Sequence, residues 1–324
     1  LVLFSWRAGT AQPILSRWGS TLPAGGLAGA AVPLAGVAEP VAAAPRDVLE
    51  AFNTASQLQD QAADGSVRLF RRQIAGGELA YLVVRLDART HLELINANGA
   101  TPGSDADGDT IWLDGGQHRA TVAEIVQAPY ALRDGLELVA GMAFSFHGEV
   151  RTSNEGSVVI NQVVHRVNAG RAALCITPER TALIGLFSAD DLTRCAQAFG
   201  GGPVILWEGR VASTAVRTPT ADQVPFNPLN EDFVQLDWRR TVYNGPHPKT
   251  AIGVGRATDG TTFLVLANSR GISGEAIAQT LRTMGCHTAL GGDDNSSTQM
   301  TWRGTQLWPG RVRPMPDAIG VYVR

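Results

Sequence analysis

Cysteine, aromatic side chains and long apolar runs are all scarce in this chain of 324 residues. The three cysteines, Cys175, Cys195 and Cys286, are far apart. No C-x-x-C pair and no neighbouring His pair accompanies them, so neither a zinc site nor a dithiol motif is written here. An odd count does not make a disulfide framework, and each cysteine lies in an apolar or helical pattern. Three buried free thiols are therefore expected, which leaves the redox compartment open. No stretch approaches the roughly 18 uninterrupted apolar residues of a membrane span. A net charge of -3 without a long basic run argues against nucleic acid or an anionic membrane surface as the main partner. Gly-x-Ser-x-Gly, a Walker loop and a Rossmann fingerprint are all missing. His147 and His165 stand alone on strand-like segments and read as structural. The first residues, Leu-Val-Leu-Phe-Ser-Trp-Arg, have neither an initiator Met nor a basic n-region, the pattern of a processed or truncated start.

Glycine, by contrast, is abundant at 36 residues. Residues 1–45 are rich in Ala, Gly and Pro and show neither a helical nor an alternating period, as in an extended arm or linker. Trp6, Ile14, Leu15 and Trp18 could anchor that arm on a neighbouring copy and make a homo-oligomer or larger assembly; a disordered leader is the alternative. A second region, 46–170, reads as mostly strand. A short helix is expected over Arg46 to Gln59, then strands over Val67 to Gln73, Leu79 to Leu86 and His91 to Asn96, with Gly76-Gly77 turning the first pair. Further strands are expected through Thr110 to Leu113, Glu137 to Phe146 and Ser157 to His165. Asp105 to Asp109 has the acid density of a calcium loop. Its glycine falls at the wrong position for an EF-hand and no bidentate Glu follows, so a solvated turn is expected and no cofactor is called for, with calcium the unsupported alternative.

From residue 171 to 324 the pattern repeats itself. Ala172 to Ile176, Thr181 to Phe187, a helix capped by Ser188, the cluster Gly200-Gly201-Gly202 and Val204 to Trp207 make the first unit. Leu192, Cys195 and Phe199 would share one face of that helix. Thr250 to Arg256, Thr261 to Ala267, a helix capped by Ser273 and ended at Gly285, a strand to Leu290, a polar loop and Gln299 to Trp302 make the second. Two ββα-type units imply an α+β fold of mostly antiparallel sheets with a few packing helices, and two glycine-rich loops facing a shared cleft. The polar loop, Gly291-Gly292-Asp293-Asp294-Asn295-Ser296-Ser297-Thr298, carries more polarity than packing needs. Its small and Asn/Asp residues can take positive φ and approach a ligand closely. A plain turn between strands is the alternative.

Asp293 to Met300 resembles the signature Asn-Leu-Asp-Gly-Gly-Ser-Ser-Thr-Gln-Met of the phosphodiester glycosidase family. Ala198 to Val204, His247 to Gly253 and Arg313 to Val321 are similar to three further motifs of that family in the same order, and Ile95-Asn96-Ala97 to its entry strand. The match is strongest from residue 171 onward, and four ordered motifs are far more specific than one. Asp294 and Asn295 stand where the signature has two glycines, and Lys249 stands where it has Arg. A carboxylate in a glycine turn would repel phosphate, and Lys lacks the bidentate guanidinium fork.

The resemblance implies hydrolysis of a sugar-1-phosphodiester. Phosphate is already a good leaving group, so the site needs an anion-binding pocket and a carboxylate that assists water at the anomeric carbon. Asp293, the acid that keeps the family's position, is the catalytic candidate. Ser296, Ser297 and Thr298 would bind sugar hydroxyls or phosphate oxygens, with Asn96, Thr250 and Asn295 beside them and Lys249 and Arg313 as cations. Gly200, Gly201 and Gly202 would form the opposite wall. The partner implied is a carbohydrate or glycosyl phosphate, and the place extracytoplasmic: secreted, periplasmic or envelope-associated. The rival reading is a non-catalytic structural or glycan-binding component of an envelope assembly that keeps the fold with a degenerate site.

Overall fold

The computed structural model describes residues 56–97, 103–104, 110–111, 119–146, 156–211, 227–231 and 245–324. The expected arm at 1–45, the acidic turn at Asp105 to Asp109 and His147 lie outside the described residues.

Three antiparallel sheets enclose one main core. The largest has eight strands in the order β1-β2-β3-β16-β15-β17-β13-β14. These are β1 Gln57–Gln61, β2 Val67–Ile74, β3 Gly77–Arg85, β13 Val204–Trp207, β14 Arg210–Val211, β15 Lys249–Arg256, β16 Thr262–Arg270 and β17 Cys286–Asp294. A five-stranded sheet follows the order β11-β10-β12-β8-β9, from β8 Val158–Ile160, β9 Val163–Arg166, β10 Ala173–Ile176, β11 Ala182–Gly185 and β12 Gln197–Gly200. The other five-stranded sheet runs β19-β18-β7-β20-β4, from β4 Thr90–Asn96, β7 Glu137–Met142, β18 Met300–Trp302, β19 Thr305–Gln306 and β20 Asp317–Val323. A two-residue ladder, β5 Gly103–Ser104 with β6 Thr110–Ile111, stands apart.

Strand alternation decides which face meets which neighbour. Along β20, Ile319, Val321 and Val323 enter the main core, while Ala318 and Tyr322 join a second cluster under the helix α1, Val122–Gln127. Along β10, Leu174 and Ile176 face the main core, whereas Ala173 and Cys175 pack with Leu192 and Cys195 on the outer side. No helix among the described residues is long and apolar enough to cross a membrane.

The α+β architecture is as expected, and the repeated plan holds with one change: the strand after the first helix is β12, Gln197–Gly200, where the helix itself was expected, and not Val204 to Trp207. In one unit β11 and β12 flank β10, and in the other β16 and β17 flank β15, all antiparallel. Ser188 and Asp191 form the capping box of α2, Ala189–Leu192. Ser273 caps α3, Gly274–Thr283, whose buried stripe includes Ile277 and Leu281, and Gly285 follows with φ +93°.

Three local expectations are corrected. Gln57 to Gln59, assigned to a helix, are strand β1 paired with β2. Helix α2 stops at Leu192, so Phe199 lies on β12, a strand buried on both faces, where alternation sends Phe199 into the main core and Ala198 into the outer cluster. Cys175 and Cys195 are joined in a disulfide, and only Cys286 is a free, buried thiol. The reason is topological. β12 runs back along β10 with Cys175 opposite Ala198, so Cys195, just before β12, returns to within 5.5 Å of Cys175 between Cα atoms.

Candidate functional site

The polar stretch begins in a strand. β17 remains extended through Asp294, a 3-10 turn covers Asn295–Ser297, and β18 starts at Met300. Only Asn295, at φ +56°, takes the left-handed conformation expected of several of these residues. The glycines are needed for close approach. A Cβ on Gly292 would stand 2.5 Å from the Phe144 ring, the Phe144 carbonyl and Thr250 Oγ1 alike. One on Gly201 would stand 2.7 Å from the same ring and 2.8 Å from the Gly291 carbonyl.

That packing places the other glycine cluster. Gly202 N–H donates to the Gly291 carbonyl at 2.8 Å, and Gly291 N–H to that of Pro203 at 2.9 Å. Gly200 lies against the backbone of Gly156, which leaves no room for a side chain. All three glycines of the cluster are buried, and Gly201 and Gly202 are in direct contact with β17 instead of across a cleft from it.

Adjacent acids on a strand point to opposite faces, and Asp293 and Asp294 have different partners. Asp293 is 7% exposed. Its Oδ1 accepts from Asp294 N–H at 2.8 Å and its Oδ2 from the Arg313 guanidinium at 3.1 Å. The Ser297 hydroxyl bonds the same carboxylate. Its backbone is held as well, with N–H donating to Phe144 O at 2.8 Å and the carbonyl accepting from Thr250 Oγ1 at 2.9 Å. Burial pushes the Asp293 carboxyl up to about 6, against the opposing pull of Asp294 N–H, Ser297 and Arg313. Asp294 lies opposite Lys249 in the ladder; burial raises its pKa too, with Lys249 and His247 opposing.

Lys249 is turned inward. It is 1% exposed, and its ammonium donates to the carbonyls of Gly245 and His247, at 2.8 Å for the second. Burial lowers its pKa to about 8, with Asp294 working the other way. Asn295 and Ser296 are exposed at the tip, where Asn295 N–H donates to Pro248 O and Ser296 O accepts from Arg313 N–H. Thr298 is buried and its hydroxyl has no partner among the described residues. Asn96 sits at the end of β4 opposite Asp317, on another sheet. Asp293, Thr250, Ser297 and Arg313 are thus brought into one bonded cluster, and Lys249 adjoins it through Asp294.

Two further residues brace the surroundings: Gln299 the Asp293 cluster itself, and Glu231 the glycine cluster. Gln299 Oε1 accepts from Val122 N–H at 3.0 Å, the start of α1, and its Nε2 donates to Arg313 O at 2.6 Å. Glu231 accepts from Ala172 N–H at 3.2 Å with one oxygen and from Val204 N–H at 2.8 Å with the other, fixing the strand that follows the glycine cluster. Gln299 lies within the Ser-Ser-Thr-Gln-Met motif, which could have marked it. For Glu231 no local signal exists. Among the described residues no group of three or more His, Cys, Asp or Glu is placed to hold a metal.

Comparison with known proteins bears on the same segment. No curated protein sequence matches the chain. Among solved structures, the catalytic domain of zebrafish N-acetylglucosamine-1-phosphodiester alpha-N-acetylglucosaminidase, described as auto-inhibited by its pro-peptide, is similar with a TM-score of 0.54 at 14% identity. That match covers 83% of this chain and 88% of the zebrafish chain. A hypothetical protein from Synechocystis is similar with a TM-score of 0.54 at 14% identity; the match covers 80% of this chain and 62% of the other. At such identity these likenesses show the fold. The family model described as phosphodiester glycosidase matches residues 136–322, a span that includes Lys249, Thr250, the whole of β17 and Arg313. On that match, over more than half of its length, the chain belongs to the phosphodiester glycosidase family.

Proposed function

We propose that this protein hydrolyses a sugar-1-phosphodiester, with Asp293 as the base that activates water at the anomeric carbon. One observation carries the reading. Asp293 is a nearly buried carboxylate gripped by Arg313, Ser297 and the Asp294 amide, with a pKa raised to about 6. A carboxylate tuned towards neutrality by burial is what proton abstraction from water requires. As the water oxygen bonds to the anomeric carbon its proton passes to Asp293. The bond from that carbon to the phosphate oxygen breaks, its electron pair leaving with the phosphate, which needs no proton to depart. Arg313 holds the carboxylate in line, and Gln299 holds the Arg313 segment in turn.

The substrate class is a carbohydrate or glycosyl phosphate. The zebrafish relative is named for N-acetylglucosamine-1-phosphodiester, which makes that sugar the first to try. An extracytoplasmic location is supported by the Cys175–Cys195 disulfide, since reducing compartments disfavour such bonds.

The test is a panel of glycosyl-1-phosphodiesters incubated with the purified chain, scored by release of reducing sugar. Release from at least one supports the reading. No release by folded protein would move the assignment to a non-catalytic glycan-binding component.

A further inference from the structure

A pocket of mixed polar and apolar lining opens beside the Asp293 cluster, bordered by Asn295 and Thr298 of the site loop and by Gly310, Arg311 and Val312, the residues leading into Arg313. Asn268 and Arg270 of β16 and Trp308 complete its wall. None of its lining residues is acidic, although Asp293 and Asp294 lie on the adjoining strand end.

Two buried polar groups lack partners here. Asn268 is 0% exposed. Its Oδ1 accepts from Trp308 Nε1 at 2.8 Å. An indole N–H only donates, so the atom it meets must be the amide oxygen, and the NH2 end is fixed as the free end. That Nδ2 has no partner among the described residues, and neither does the hydroxyl of Thr298. Leaving two such groups unpaired is costly unless a ligand takes them. Both can donate. Arg270 is held with its guanidinium 5.1 Å from the Trp308 ring centroid and bonded to Pro309 O, and Arg311 is exposed at the rim. Two neutral donors, two guanidinium groups and no carboxylate define a site for an oxyanion.

We infer that this pocket binds the phosphoryl group of the phosphodiester, through Asn268, Thr298, Arg270 and Arg311. Its link to catalysis rests on the glycosidase reading; the anion site itself does not. Of the cations expected to take the phosphate, Lys249 is held by the carbonyls of Gly245 and His247, and Arg313 gives one guanidinium nitrogen to Asp293 while its Nε has no partner among the described residues. A phosphate at the site loop itself would meet two carboxylates. In the pocket it meets none, while Asn295 and Thr298 follow Asp293 within five residues just past the end of β17, so a bound phosphoryl group would set the anomeric carbon towards that acid.

The experiment is calorimetric titration of the full chain with inorganic phosphate and, separately, with dimethyl phosphate, a diester monoanion that cannot be turned over by a glycosidase. Both are expected to bind. Arg311→Ala and Asn268→Asp should each weaken binding about tenfold or more, the second because it keeps the acceptor for Trp308 and replaces the free donor by a negative charge. Asp293→Asn should bind at least as well as the parent chain. Arg311→Ala, on the exposed rim, decides the matter by itself if Asn268→Asp does not fold. Absence of binding, binding of phosphate without dimethyl phosphate, or affinity insensitive to Arg311 and Asn268 would each overturn the assignment. Binding as expected without turnover of any glycosyl phosphodiester would defeat the glycosidase reading and leave the oxyanion site standing.

Discussion

The Arg313 guanidinium donates to Asp293 Oδ2 at 3.1 Å, across 20 residues of chain. This bond lowers the Asp293 pKa while burial raises it, and burial prevails at about 6. Hydrolysis that needs the ionised carboxylate should therefore rise with pH through about 6. Arg313→Ala removes the lowering partner, so the acid limb of the kcat/KM profile should move to higher pH. A limb that stays in place would show that Arg313 does not act on this acid.

The same group couples stability to pH. Its folded pKa lies above the ordinary 3.8, so the folded state holds a proton that the unfolded chain has lost between about 4 and about 6. Its contribution is complete below the unfolded value and declines as pH rises to the folded one, by up to about 3 kcal/mol. Relative to Asp293→Asn, the parent chain should lose stability over that window, as read by denaturant unfolding at several pH values.

Lys249 looks like a phosphate ligand in sequence and is a brace in the structure. Lys249→Met would leave the carbonyls of Gly245 and His247 without its ammonium, at about 2 kcal/mol of stability. Phosphate affinity should be unchanged. A loss of affinity without loss of stability would restore Lys249 as a ligand.

Gly292→Ala should cost about 2 kcal/mol or more, because its Cβ would press on Phe144 and on Thr250, the residue that holds the Asp293 carbonyl. Activity should fall with it. A stable, active variant would mean that Asp293 does not depend on this packing.

The Cys175–Cys195 bond closes a segment of 20 residues of separation around α2. Replacing both cysteines by serine should lower unfolding free energy by about 3 kcal/mol, and reductant should do the same to the parent chain. Equal stability with and without reductant would show that the bond does not support the fold.

What could be read from the sequence was local. Ser273 and Gly285 announce α3, Gly76 announces the β2–β3 turn, and the repeated order of hairpin, helix and strand survives in the sheets. What could not be read depends on strands that meet late. Cys195 finds Cys175 only once β12 pairs with β10. Phe199 follows a helix that stops seven residues earlier, and nothing in its own neighbourhood says so. Asn268 and Trp308 are 40 residues apart, so the orientation that frees the Asn268 amide has no linear trace. The motif containing Asp293 was visible, but the partners that set its chemistry come from β15, from the turn after β17 and from the segment before β20.

The most direct measurement is kcat/KM for a cleaved glycosyl-1-phosphodiester with the parent chain and with Asp293→Asn, each checked for folding by thermal melting. A loss of about a hundredfold or more in a folded variant is predicted if Asp293 is the base proposed above, since its removal takes away stabilisation specific to the transition state. A folded Asp293→Asn variant that turns over at the parent rate would show that Asp293 is not the base.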